Sequence, residues 1–341
     1  MEIILPVALI KINIFLIPLA GFFIGLVAGM FGVGGGIIAV PTMIALGVSP
    51  FVTTATSISQ TIGTTFSGAL TQYSNGNLNL KVALSLICGG IVGGLSGVLL
   101  ISSLGSIDNF NQIFDYVFYS FLLFVSIRLI LSNRKKDNSV KESKVRNLLK
   151  SLPFQISDEK SNDSVTFFAL FLLGVLAGLL AELTGLGGGI LVVPVLSYFF
   201  PNNFNLAVAA SFVYMVVLNT ILTFMNIVNT QNVDVILCSL LLIGSVIGVQ
   251  FGVKIGNKLG ARLQKLLFGF FIILVFAKKI LSKFGYLQFE SENSIQEVLV
   301  PNTLSDTLAT WASEQQIFYF FIVIGLSLVL GFGGKYIFSK K

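Results

Sequence analysis

The chain has 341 residues, of which 55% are hydrophobic and 11% charged, with a formal net charge of +6. A soluble globular domain carries roughly 25% charged residues, so this composition excludes an ordinary soluble fold and gives most of the surface to lipid. Histidine is absent and the two cysteines, Cys88 and Cys238, sit inside apolar segments, which excludes a disulfide framework and a His/Cys metal cluster. No cofactor is expected.

Met1 to Phe23 is apolar, lacks a basic leading region and runs into further membrane sequence, so it reads as retained rather than as a cleaved signal. Long apolar segments follow at 13–32, 51–73, 80–103, 113–132, 165–183, 205–227, 233–253, 263–283 and 316–337. Each approaches the ~20 residues needed to cross a hydrocarbon core about 30 Å thick. Two shorter ones, 36–47 and 189–200, come directly after glycine clusters. Length and the lack of period-two alternation predict helices, not barrel strands.

The stretch 133–163 carries Arg134, Lys135, Lys136, Lys141, Lys144, Arg146, Lys150 and Lys160. It reads as a basic cytoplasmic linker between a first membrane repeat (13–132) and a second (164–284). The stretch 285–315 is acidic, with Glu290, Glu292, Glu297, Asp306 and Glu314 and no base, and is placed outside. Residues 316–341 form a last transmembrane helix and its tail. The basic residues gather beside apolar spans, which fits loop anchoring and not a nucleic-acid-binding face.

The two halves are copies. GFFIGLVAGMFGVGGGIIAVP at 21–41 and GVLAGLLAELTGLGGGILVVP at 174–194 align at a shift of 153. A shift of 155 pairs Asn77 with Asn232, Asn79 with Asp234, and Gly89, Gly93, Gly97 and Gly105 with Gly244, Gly248, Gly252 and Gly260. Charge bias differs between equivalent loops. Lys254, Lys258, Arg262 and Lys265 surround Gly260, whereas Asp108 lies near Gly105; Lys81 follows Asn77, whereas no base lies near Asn232. The expected fold is therefore an all-α integral membrane protein of two inverted-topology helical repeats, each with a glycine-broken hairpin, plus a C-terminal transmembrane helix.

Three consecutive glycines weaken a helix by about 1 kcal/mol each relative to alanine. Freed backbone in lipid is tolerated only inside protein or along a wet cavity. Breaks at Gly34-Gly35-Gly36 and Gly187-Gly188-Gly189 would present the N-termini of short helices starting near Ile37 and Ile190. Unpaired N–H groups at a positive dipole end suit an anion. Neither run has the Lys-Ser/Thr of a nucleotide loop. For the four-residue glycine series, such as Gly244-Gly248-Gly252, close helix packing is the better reading.

Thr53, Thr56, Gln60, Thr64 and Ser67 share one helix face, with Ser211, Asn219, Thr223 and Asn226 a sparser counterpart. Such groups can line a passage or bond neighbouring helices. The candidate substrate-binding set is Gly34, Gly35, Gly36, Gly187, Gly188, Gly189, Thr56, Gln60, Ser211 and Asn219. Glu182 is the one acid deep in a span, its counterpart being Gly29, and is the candidate for proton coupling or for a neutral packing role.

The doubled pattern GLVAGMFGVGGGIIAVP at 25–41 and GLLAELTGLGGGILVVP at 178–194, with NTQNVDVILCSLLLIGSVIGVQFGVKIGNKLG at 229–260, resembles the TauE/SafE family of bacterial membrane proteins. The resemblance implies a plasma-membrane permease for sulfite, sulfonates or related organic anions. Its partners would be that anion, the bilayer and a coupling ion, H⁺ or Na⁺. A non-transporting membrane scaffold using the same repeats is the alternative. An enzyme is not expected, since no acid–base pair is available.

Overall fold

The computed structural model describes residues 2–104, 127, 153–157, 163–271, 273 and 316–339, except positions 6, 9, 10, 201, 202, 230–232 and 261. The segment read at 113–132 (apart from Ile127), the end of that at 263–283, most of the linker and the acidic loop 285–315 lie outside the described residues. The first half holds α1 (Leu16–Phe31), α2 (Gly36–Ala45), α3 (Pro50–Ser74) and α4 (Leu80–Leu104). The second holds α5 (Phe167–Thr184), α6 (Gly189–Phe199), α7 (Phe204–Asn229) and α8 (Val235–Lys258), and α9 (Gln316–Ser339) follows.

Among the described residues, four stretches are long and apolar enough to cross a membrane: Leu80–Leu100, Phe167–Thr184, Phe204–Val228 and Val235–Lys258. Helix α3 has the length but carries a run of hydroxyls, and it resolves the conflict by being buried. Thr53, Thr56, Ser57, Gln60, Thr61 and Thr64 are fully shielded. The polar helix thus sits in protein, and apolar side chains such as Phe23, Leu84 and Leu172 face outward, as a lipid solvent requires. The chain is a multi-pass membrane protein.

Among the described residues, two antiparallel hairpins lie outside the apolar pattern. β1 (Glu2–Ile4) pairs with β2 (Lys11–Asn13), and β3 (Gln155–Ser157) with β4 (Ser164–Thr166). The 153-residue shift carries the first hairpin onto the second strand for strand, so each folded half begins one hairpin before its first helix. Strand β3 lies within the stretch 133–163 read as linker. Each hairpin is tied to the other half at equivalent positions. The Asp234 carboxylate accepts from Val7 N and Ala8 N at 3.0 Å and from Leu237 N at 3.0 Å, while Asn79 Nδ2 donates to the Ser157 carbonyl at 3.1 Å.

The glycine series set the helix packing. Gly21, Gly25 and Gly29 of α1 rest against the backbone at Leu241, Ser245 and Val249 of α8, so these helices run parallel at close approach. Gly174 and Gly178 of α5 meet Leu86 and Gly90 of α4 in the same way. The reciprocal glycines Gly244 and Gly248 meet Pro18 and Phe22, and their counterparts Gly89 and Gly93 meet Phe171 and Val175. Exchanging the halves therefore maps one seam onto the other. A methyl on Gly93 would be driven into the Val175 carbonyl. Gly93→Ala is expected to cost about 1–3 kcal/mol through overpacking, read as a lowered thermal midpoint in detergent micelles.

Helices α3 and α7 cross at the centre in opposite directions: Gly68 meets Phe212, and Ala55 clusters with Ile227. Helix α8 runs with α3, as the pairs Gln60–Ser245, Ser67–Gln250 and Gln72–Asn257 advance together. Helix α4 runs with α7, since Gly90 meets Tyr214 and Gly94 meets Leu218. Thus α1, α3 and α8 point one way, and α4, α5 and α7 the other. Helix α9 covers α3 and α8: Gly63 touches Ser327, Gly331 touches Phe66, and Val323 joins Cys238, Leu242 and Val246.

Candidate functional site

Both glycine runs interrupt their helices. Helix α1 ends at Gly32 (φ 75°), whose N–H bonds the Ala28 carbonyl at 2.7 Å, and α5 ends at Gly185 (φ 70°), bonded to Ala181 at 2.9 Å. Gly34, Gly35, Gly187 and Gly188 then adopt φ of 78°, 91°, 75° and 75°. This left-handed region costs an L-residue roughly 1–2 kcal/mol, and two such residues in succession explain why glycine fills both places. The next helices restart immediately. Ile38 N and Ala39 N bond the Gly35 carbonyl, and Leu191 N and Val192 N bond that of Gly188. The amides of Gly36 and Ile37, and of Gly189 and Ile190, therefore precede the ladders of α2 and α6.

The two breaks touch each other. A Cβ on Gly36 would stand 2.7 Å from the Gly185 carbonyl oxygen, and one on Gly189 would stand 2.8 Å from that of Gly32. Ser57 Oγ donates to the Gly185 carbonyl at 2.9 Å, and Ser211 Oγ to the Gly32 carbonyl at 2.7 Å. A shift of 154 relates these two serines. It also relates Thr61 to Met215, and both side chains lie against Gly34 and Gly187. Asn219 completes the centre, with its Nδ2 placed 3.1 Å from where a Gly187 Cβ would be.

Asn219 is fully buried, yet neither its Nδ2 nor its Oδ1 has a hydrogen-bond partner. An unsatisfied buried polar group costs about 1–3 kcal/mol, and few native groups are left so without a reason. Here the orphaned amide adjoins the break before α6, which itself meets the break before α2. Ser57, Thr61, Ser211, Met215 and Asn219 are all fully shielded, so the breaks are occluded.

The candidate residues divide accordingly. The six glycines, Ser211 and Asn219 come together at the centre. Thr56 and Gln60 belong to the α3–α8 contact: Thr56 Oγ1 accepts from Asp234 N at 3.0 Å, and Gln60 Nε2 donates to Thr64 Oγ1 and Ser245 Oγ, both at 2.7 Å. Their face of α3 bonds a neighbouring helix, and the adjacent face, with Ser57 and Thr61, meets the breaks. The sequence reading passed over Ser57, Thr61 and Met215. The available signal was the repeat itself, because the 154-residue shift pairs Ser57 with Ser211 but Thr56 with Ala210 and Gln60 with Tyr214. Glu182 is buried, one turn before Gly185, with its carboxyl beside Asn226.

A cavity of about 590 Å³ lies elsewhere, at the β3–β4 hairpin, between Lys81, Leu84, Phe154, Ile156, Phe167 and Phe168. Its walls are mostly apolar, so the breaks, with their amide donors, are the better host for a charged solute.

A buried, helix-interrupted centre lies inside a multi-pass bundle, and the family and relatives give its class: a membrane transporter. The chain belongs to the TauE/SafE family, whose model, described as sulfite exporter TauE/SafE, matches residues 17–279. It is 25% identical over 241 residues to the "Probable membrane transporter protein YjnA" of Bacillus subtilis (strain 168), covering 68% of this chain and 86% of the relative. It is also 25% identical over 190 residues to a "Probable membrane transporter protein" of Haemophilus influenzae, covering 54% of this chain and 62% of that protein. No solved structure matches.

Proposed function

We propose that this transporter is a secondary permease that binds a small oxyanion (sulfite, a sulfonate or a related organic anion) between its two glycine breaks and exposes it alternately to each side. The observation that carries the reading is the meeting of the breaks around Asn219, an amide with no protein partner. Backbone N–H groups at the starts of α2 and α6 supply donors and a favourable dipole. The family description adds the sulfur oxyanion class.

The repeats are inverted with respect to each other. Supporting this, α1 and α5, α3 and α7, and α4 and α8 are equivalent by sequence shift, and each pair runs in opposite directions. Discontinuous helices meeting between inverted repeats suit a carrier that rocks about a central site. Lys81 at the start of α4 and Lys254 and Lys258 at the end of α8 share one end of the bundle, which the positive-inside rule places in the cytoplasm. Helix α9 is a further transmembrane helix running parallel to α3, so its C-terminal end returns to that same side. The β1–β2 hairpin, Asp234 and the end of α7 are then external. Uphill movement draws on an H⁺ or Na⁺ gradient.

Proteoliposomes loaded with an anion panel test the reading. Sulfite or a sulfonate is expected to cross at a saturable, protein-dependent rate. Flux at the rate of empty liposomes for every anion, with the protein folded and inserted, would contradict it.

A further inference from the structure

The repeats match closely at the breaks, yet one feature belongs to the second half alone. Asn219, Thr223 and Asn226 fall at i, i+4 and i+7 of α7, so they stack on one face over about 10 Å, and Asn226 lies beside the carboxyl of Glu182 of α5. Asn219, Thr223 and Glu182 are 0%, 0% and 3% exposed, and Asn219 Nδ2 and Oδ1, Thr223 Oγ1 and Glu182 Oε2 have no hydrogen-bond partner.

Thr223 is out of character for this protein. Thr61, Thr65 and Thr220 each return their hydroxyl to the carbonyl four residues back, at 2.7 Å. Its hydroxyl is instead left over beside the face shared by Asn219 and Asn226. In the first half the equivalent positions are Thr65, Ala69, Gln72 and Gly29. Thr65 is satisfied by its own helix, Ala69 has no polar atom, and Gln72 is bonded by Asn77 and Asn257. Gly97 of α4 makes room for the acid, with its Cβ position 3.0 Å from Glu182 Cβ.

We propose that Glu182 is the group that takes up and releases a coupling proton, and that Asn226, Thr223 and Asn219 form the polar stripe that links it, from the outer half of the bundle, to the anion site. The inference rests on the permease reading above. The proton adds to the carboxylate from one aqueous side and leaves to the other after the repeats have rocked, so charge and atoms are conserved over a cycle. A cationic side chain is missing from the described break residues, so a bound anion and an ionised Glu182 would repel. At an effective dielectric of about 20, unit charges about 10 Å apart repel by enough to change affinity roughly tenfold. Proton and anion therefore bind together, and the pair moves as a symport.

A proton suits the site better than Na⁺. Sodium sites in carriers draw on unwound backbone carbonyls, and three of those around Glu182 are already engaged, Leu180 by Thr184 Oγ1, Ala181 by Gly185 N and Gly185 by Ser57 Oγ. Among the described residues, the other ionisable groups on the helices around Glu182 are Lys81 and Cys88 of α4, Tyr73 of α3, Tyr198 of α6 and Tyr214 of α7. Lys81 is about 24 Å along α4 from Gly97, Cys88 about 13 Å from it, and Tyr214 about 18 Å along α7 from Asn226. Tyr73 lies at the opposite end of α3 from Thr54, which packs on Gly185, and Tyr198 is at the far end of α6 from Gly188.

Two measurements test this. Infrared difference spectra of the purified protein between acid and alkaline buffer are expected to contain a buried-carboxyl band that is missing from Glu182→Gln; the same band in both would overturn the proposal. In proteoliposomes with sulfite, the ratio of pH-gradient-driven to gradient-free flux should fall at least tenfold in Glu182→Gln and Thr223→Val and recover in Glu182→Asp. A ratio unchanged in Glu182→Gln, or accumulation driven by Na⁺ alone, would also overturn it. The infrared band is read without transport, so a failure to move sulfite counts against the permease reading and the band against the proton role of Glu182.

Discussion

Gly36→Leu and Gly189→Leu are each expected to bring anion flux down to the rate of empty liposomes while the protein still inserts. The reason is reciprocal. The space where a Gly36 side chain would start is held by the Gly185 carbonyl and Leu186 Cα, at 2.7 and 2.8 Å, and that of Gly189 by the Gly32 carbonyl and Met215 Sδ, at 2.8 and 2.7 Å. Backbone of one repeat cannot step aside for a side chain on the other without parting the breaks. Each substitution also fills the approach to the N–H groups of Gly36–Ile37 or Gly189–Ile190. Gly260→Leu is the control, since nothing lies within 4 Å of its Cβ position. Near-normal flux in both variants would show that the breaks serve packing alone.

The second large effect separates function from stability. Asn219→Leu is expected to lower flux by roughly 10- to 100-fold, the value of a hydrogen bond to a charged group at about 1.5–3 kcal/mol. The same change removes two buried polar atoms that have no partner, at about 1–3 kcal/mol for such a group. The thermal midpoint of the variant should therefore rise or hold. A purely structural asparagine would behave the other way, and a variant that loses flux and midpoint together would point to a packing role.

The contrast between these two sites reflects what a sequence can carry. Contiguous glycines followed by Pro41 and Pro194 mark an interruption in any context, because no other residue tolerates successive left-handed φ values. The duplicate spacing at 153 to 155 residues is equally legible, and so is the membrane solvent. The facing of α3 was not. Its hydroxyls occupy more than one face, so polarity alone cannot say whether Thr56 and Gln60 or Ser57 and Thr61 look toward the breaks. That is decided by which neighbour each face meets, namely α8 for the first pair. Met215 was invisible for the opposite reason: an apolar side chain in an apolar helix carries no signal until Gly34 and Gly189 are placed against it. The hairpins were missed because three-residue strands need only local backbone pairing, and the shift that aligns β1–β2 with β3–β4 matches a single strand residue, Ile3 with Ile156.

Glu182 and its stripe show the limit from another direction. The acid was conspicuous in an apolar run, but its meaning depends on Asn226 lying beside it and on Thr223 Oγ1 having no partner.

The central claim is that two opposed helix starts and one unpartnered amide hold an anion at the middle of the bundle. Calorimetric titration of sulfite and a short sulfonate into purified protein, wild type beside Asn219→Leu, tests it most directly. The account predicts one saturable site per chain in the wild type, weakened at least tenfold by Asn219→Leu. Equal binding by the two proteins would contradict it.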